Sequence, residues 1–227
     1  MTRQIVFFDV AGTLVASNPW RGLLKHTAIN KVRLYSRYPF IVLPYWAKNA
    51  GLISDVRFRQ IWIRQMAALL KGLHRDEVNE MFRWIAADFV RDDYRQDVVA
   101  RLDAHKQAGA YVLLVSGMFT PMTQAFATKL GADAGIGTGL AFDEQGICTG
   151  HIAGDGCAGE NKSLFIRQYL EAQGLSLAEA ETTAYADSYS DVPLLSFAQQ
   201  AVATYPDEKL REVVRARGWS IIDDEME

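Results

Sequence analysis

The sequence predicts an α/β protein: a doubly wound, Rossmann-like parallel sheet with a helical insertion. Three observations carry this prediction. First, three short apolar runs, Ile5–Phe8, Tyr111–Val115 and Thr183–Ala186, each end in polar residues: Asp9, Ser116-Gly117 and Asp187-Ser188. Continuous apolar runs of this length suit strands covered on both faces. Second, helical periodicity precedes the second and third runs, the alternation expected of a parallel sheet. Third, the stretch between the first and second runs carries helix patterns and no strand alternation.

Taken in chain order, Ile5–Phe8 is the first strand. It is too short for a secretory apolar region and lacks a small-residue cleavage site, so a cytoplasmic protein is expected. From about Ser17 to Arg91 the chain is rich in Trp, Arg, Leu and Ile. Helices are predicted over 55–70 and 76–90, with Ser54 and His74 or Arg75 near their starts. Pro39 and Pro44 are expected to break the region before them. Phe40–Ala47 is the longest apolar stretch; it is too short to span a bilayer and contains a proline. Packing within the insertion is expected for it, with an amphipathic membrane contact as the alternative.

A helix over 97–107 places Val98 and Leu102 on one face, with Gly109 as its C-cap. The glycine-rich segment 135–159 suggests a hairpin of 140–142 with 147–152, turning at Glu144-Gln145-Gly146. The helix over 162–173 gathers Leu164, Phe165, Tyr169 and Leu170 on one face. The tail reads as a short strand, a helix from about Asp207, and a last strand around 219–222. The partition is therefore a core of 1–16 and 92–227 with a helical cap of 17–91.

Composition narrows the function classes. A hydrophobic fraction of 49% with 22% charged residues fits a soluble globular chain. A net charge of −3 leaves no broad basic surface for a nucleic-acid backbone. Cys148 and Cys157 are too few for a disulfide scaffold and read as idle thiols.

Ligands of such sheets bind beyond the carboxyl ends of the strands. Asp9, Ser116 and Asp187 are thus expected to converge. Alone, Asp9 reads as a cap on the next element; a strand-end aspartate also serves as a nucleophile toward phosphorus. Gly12 allows a sharp turn, and Thr13 can bond an anion. Asp187 and Asp191, four apart, share a side if a helical turn begins there. Read alone they are a cap and a surface acid; paired with Asp9 they suit Mg²⁺, which prefers oxygen ligands. Lys162 opens a helix after a glycine-rich loop, a place where lysine neutralises phosphate oxygens. Ser116 and the amides of Gly117 and Met118 form either an anion cradle or an ordinary turn. Gly154–Gly159 matches G-x-G-x-x-G, but it follows half of a hairpin rather than the first strand of a βαβ unit. The near match to a P-loop over 156–163 has Asn161 in place of its second glycine.

The order and spacing of Asp9-Val10-Ala11-Gly12-Thr13, Ser116, Lys162 and Asp187-Ser188-Tyr189-Ser190-Asp191 resemble the four motifs of the haloacid dehalogenase superfamily. The helical insertion, Ala186–Leu195 and the terminal Tyr205-Pro206-Asp207 with Gly218-Trp219 resemble its phosphoserine-phosphatase-like branch. The resemblance implies a Mg²⁺-dependent phosphohydrolase acting on a small phosphorylated metabolite. It implies that Asp9 becomes an aspartyl-phosphate, and that Asp9, the backbone carbonyl of Ala11 and Asp187 bind the metal. It gives Asp191 a role in supporting the metal or holding Lys162. Phosphate would be bound by Thr13, Ser116, Gly117 and Lys162. Three carboxylates and a phosphate dianion repel, so a divalent cation and a lysine are needed together.

The sequence departs from that family at Ala11, where most of its phosphatases carry an aspartate acting as general acid and base. Such a group is worth about 10²–10⁴ in rate. Four explanations remain open: an acid replaced by engineering, another group such as His26, phosphonate or phosphotransfer chemistry needing no acid, or binding without catalysis. Trp20, Arg21, Lys25, His26, Arg57 and Arg64 are the insertion's candidates for choosing a substrate.

Overall fold

The structure is a computed structural model and describes residues 3–223. Residues 1–2 and 224–227, the outer ends of the expected core range, lie outside the described residues.

The first strand, β1 (Arg3–Phe8), is followed by four helices: α1 (Trp20–Lys25), α2 (Lys31–Asn49), α3 (Asp55–Leu69) and α4 (Arg75–Trp84). The chain then runs through α5 (Gln96–Gln107), β2 (Tyr111–Phe119), α6 (Thr120–Leu130), β3 (Ala134–Phe142) and β4 (Cys148–Ala153). It ends with α7 (Asn161–Ala172), β5 (Ala180–Ala186), α8 (Val192–Phe197), β6 (Gln200–Thr204), α9 (Glu208–Arg217) and β7 (Ser220–Ile222). The seven strands form one sheet in the order β4-β3-β2-β1-β5-β6-β7. All neighbours are parallel except β3 and β4, the antiparallel hairpin.

The register places the strand ends together. Phe8 pairs with Leu114 on one side and Tyr185 on the other, so Asp9 emerges beside Val115 and Ala186. Alternation along β1 splits the core in two. Val6 and Phe8 face a cluster with Leu102 and Phe126, while Ile5 and Phe7 face one with Ile166, Leu195 and Leu210. The first cluster continues into the insertion through Ile63, Met66, Val78 and Phe82. Phe119 sits at that junction, edge-on to Trp20 at 5.1 Å and tilted on Phe82 at 6.2 Å.

Several expectations are corrected. Pro39 and Pro44 do not break the chain; both lie inside the 19-residue helix α2. Their missing N–H groups free the carbonyls of Tyr35 and Phe40, which are exposed residues that water can serve. Only part of Phe40–Ala47 packs within the insertion: Ile41 is buried and Tyr45 meets the Phe58 ring at 6.2 Å, whereas Phe40, Leu43 and Trp46 are 60–66% exposed. The helix expected over 76–90 is α4 from Arg75, capped by His74 and Glu77, and it passes into a π-helical turn at Ile85–Phe89. The strand expected over 140–142 begins earlier: the glycine-rich stretch before Leu140 is the first half of β3, paired with β2. Strand glycines are explained here by close approach: a Cβ on Gly135 would lie 2.5 Å from the Thr123 backbone of α6. Finally, β2 runs past Ser116 to Phe119, with a register shift after Val115.

Truncating Phe119 to Ala should open a cavity where insertion and sheet meet. The expected loss is about 3–5 kcal/mol, measured by urea denaturation.

Candidate active site

The turn after β1 is built for close approach. Gly12 has φ +94°, and a Cβ there would overlap the Asp187 carboxylate, with Cγ only 2.5 Å away. Glycine therefore lets the first turn pack against the loop after β5. Thr13 Oγ1 donates to Asp187 Oδ1 at 2.8 Å. Arg95 Nε donates to the Gly12 carbonyl at 3.1 Å, and its guanidinium stacks 3.5 Å from the Tyr205 ring centroid.

Lys162, the second residue of α7, reaches from the opposite side. Its Nζ lies 2.6 Å from Asp9 Oδ1 and 2.6 Å from Asp191 Oδ1. All three side chains are buried. Asp191 closes a 3₁₀ turn, Tyr189–Asp191, started by Ser188, whose Oγ accepts the Ser190 amide. Half-buried Asp187 precedes it, and oxygens of Asp9, Asp187 and Asp191 lie within 4.8 Å of one another. Asp207 braces the turn: its amide donates to the Asp187 carbonyl at 2.9 Å, and its carboxylate accepts from the Tyr189 and Leu210 amides.

Three carboxylates face one ammonium, and burial dominates their protonation. Desolvation pushes Asp9 up to about 7, against the pull of Lys162, with Asp191 and Asp187 adding repulsion. Desolvation likewise pushes Asp187 up to about 6, opposed by the Thr13 hydrogen bond. For Lys162, burial works against the charge, but Asp191 and Asp9 together outweigh it and hold the ammonium above its ordinary value. The protein alone is thus short of positive charge here. Once ionised, the clustered carboxylate oxygens are suitable ligands for a hard divalent cation.

Five of the sequence candidates, Asp9, Thr13, Lys162, Asp187 and Asp191, are joined by these contacts. Ser116 and Gly117 are not hydrogen-bonded to the carboxylates among the described residues. Ser116 is buried two positions beyond the Phe8–Leu114 pair, and its Oγ accepts the Met118 amide at 3.4 Å. The Gly117 carbonyl accepts from Thr138 Oγ1, which in turn accepts the Cys157 amide at 3.0 Å. Ala11 is a half-buried methyl on the first turn. His26 packs its ring on Trp84 and accepts the Ala28 amide, and burial lowers its pKa. Trp20 is buried against Phe119, Lys25 lies over Phe89, Arg21 and Arg57 are exposed, and Arg64 lines a cavity between the insertion and β4. Both cysteines are free and buried, and desolvation pushes Cys157 up to about 12.

Arg95, Thr138 and Asp207 were not legible as site residues. Asp207 stands out only as a helix start and within the Tyr205-Pro206-Asp207 resemblance, without a site role, and Arg95 and Thr138 act through backbone groups distant in sequence.

A carboxylate raised in the folded state costs stability that is absent below its ordinary value near 3.8 and complete above its folded value. In metal-free protein, Asp187→Asn should therefore raise the melting temperature relative to wild type. That difference should grow from about pH 4 to about pH 6 and then level off; thermal melts in chelator across that range measure it.

The chain matches known proteins along most of its length. The haloacid dehalogenase-like hydrolase family matches residues 6–196. A Mycobacterium tuberculosis protein named phosphoserine phosphatase SerB1 is 37% identical over 70% of this chain and 51% of its own. The chain thus spans about half the length of that relative. A histidinol-phosphatase from Neisseria meningitidis is 27% identical over 97% of this chain and 99% of its own. The solved structure of a protein of unknown function from Bordetella pertussis Tohama I superimposes with a TM-score of 0.83. It is 27% identical and covers 98% of this chain and 99% of that one. With its sheet order, its strand-end aspartates and this match over residues 6–196, the chain belongs to the haloacid dehalogenase-like hydrolase family.

Proposed function

We propose that the protein is a Mg²⁺-dependent phosphohydrolase that cleaves a small phosphorylated metabolite through an aspartyl-phosphate on Asp9. The observation that carries this reading is the buried Lys162 ammonium bonded at 2.6 Å to both Asp9 and Asp191, with Asp187 beside them. Phosphatase names among the relatives support the reaction class.

In this reading, Asp9, Asp187 and the Ala11 carbonyl hold the cation, with Asp191 supporting it. When bound, Mg²⁺ supplies positive charge to offset the carboxylates and the phosphoryl oxygens. Lys162 pulls Asp9 toward its ionised form and meets an equatorial phosphoryl oxygen as charge builds there. Ser116, Gly117 and Thr13 complete the anion cradle. An Asp9 oxygen forms a bond to phosphorus while the bond to the leaving oxygen breaks with its electron pair. Water then attacks the aspartyl-phosphate, releasing phosphate and restoring the carboxylate. Thr13 fixes one Asp187 oxygen, which leaves the other available as a ligand. Residues 17–91 act as a cap over the strand ends and select the substrate.

Ala11 shapes the chemistry. With a methyl at that position, the leaving oxygen receives no proton from the first turn. Ala11 thus favours a second reading within the same site: transfer from substrates whose leaving group departs without an acid, such as phosphonates whose departing carbon is stabilised by an adjacent carbonyl.

Assays of the chain and its Ala11→Asp variant with Mg²⁺ separate the two. A phosphomonoesterase limited by this position should gain about 10²-fold or more in turnover on alkyl phosphates from Ala11→Asp. Asp9→Asn should abolish turnover in both backgrounds. Equal rates with and without the added acid point to the acid-independent reading.

A further inference from the structure

The most unusual surface of the molecule is the outer face of α2. Val32, Tyr35, Pro39, Leu43 and Trp46 follow one another at spacings of three and four, so they form a single stripe along the helix. Val32 is 78% exposed, Tyr35 72%, and Leu43 and Trp46 66% each. The opposite side holds Ile41, the one buried residue of this helix. The helix is therefore amphipathic with its apolar side turned outward, the reverse of a helix that serves a core. Contiguous exposed apolar faces of this kind mark contact sites.

Charge identifies the occupant. Residues 31–64 hold seven lysines and arginines and one acid, Asp55, a net of +6 within a chain of −3. No acid lies in α2 itself. On its inner flank, α2 shares with α3 and β4 a cavity of about 580 Å³ lined by Arg37, Arg64, Lys71 and His151 and by no carboxylate. A second copy of this face would meet its own positive charge and be repelled. An outward apolar stripe with Trp and Tyr, on an acid-free helix within a strongly basic segment, is the pattern of a helix lying in the headgroup plane of a bilayer. The net positive charge of residues 31–64 matches anionic lipid. No helix among the described residues is long and apolar enough to cross a membrane, so the contact is parallel to the surface.

We infer that the outer face of α2 docks the protein on an anionic phospholipid surface. Pro39 and Pro44 are compatible with this, since both lie in a helix held mainly by one flank. The docking needs no catalysis and stands apart from the phosphatase reading.

The test is flotation of the purified full chain with vesicles of phosphatidylcholine, alone or containing about one-third phosphatidylglycerol. The chain should float with the anionic vesicles and not with the neutral ones. Trp emission should shift to the blue on binding, and the shift should be lost in Trp46→Phe. Leu43→Glu, at an exposed position, should keep its circular dichroism and bind at least about tenfold more weakly. Lys31→Gln and Arg57→Gln should each weaken binding about fivefold. The inference is overturned if the wild-type chain ignores anionic vesicles or binds both kinds equally. It is also overturned if sedimentation shows a dimer that Leu43→Glu dissolves, or if the face binds an acidic protein and not lipid.

Discussion

The rest of the structure is organised around one buried ammonium. Lys162 lies between Asp9 and Asp191 at 2.6 Å from each, with all three side chains almost wholly out of water. Burying two carboxylates and a third nearby is unfavourable unless opposite charge meets them. A single lysine offsets only part of that charge, and desolvation raises both Asp9 and Asp187 in response. The residual demand for positive charge is what fits the site to a divalent cation and, by the same electrostatics, to a substrate that brings its own anion only when a cation is present.

Holding those charges together requires segments that are distant in sequence to meet at one edge of the sheet. The parallel register brings the ends of β1 and β5 level beside Leu114 and Val115 of β2. Gly12 then permits contact with Asp187 that any side chain would block. Arg95 fixes the first turn through the Gly12 carbonyl, and Asp207 fixes the last through the Asp187 carbonyl and the Tyr189 amide. These braces spend hydrogen bonds on loop backbone, where an unpaired polar group would be costly.

Much of this was legible in the sequence because it rests on local pattern. The apolar runs ending in Asp9 and Asp187, the helix at Lys162 and the spacing of Asp187 to Asp191 are short-range signals. The features that were not legible depend on neighbours. Gly135 carries no strand signal in isolation, yet it is a strand residue whose backbone α6 approaches too closely for a side chain. Pro39 and Pro44 read as breaks, yet an exposed helix tolerates them because water serves the freed carbonyls. The run Phe40–Trp46 reads as core by composition, but only the fold shows that α2 turns Phe40, Leu43 and Trp46 outward while Ile41 is buried. Thr138 and Arg95 act on carbonyls whose positions no periodicity encodes.

The central claim is that the carboxylate cluster is short of positive charge until a cation binds. Calorimetric titration with Mg²⁺ in buffers of different ionisation heat tests it by counting protons released on binding. At about pH 6, where Asp9 and Asp187 are raised into the titrating range, binding should expel about one proton. At about pH 8.5, where both are ionised, it should expel none. Failure to bind Mg²⁺, or binding with no proton release at the lower pH, would contradict the account.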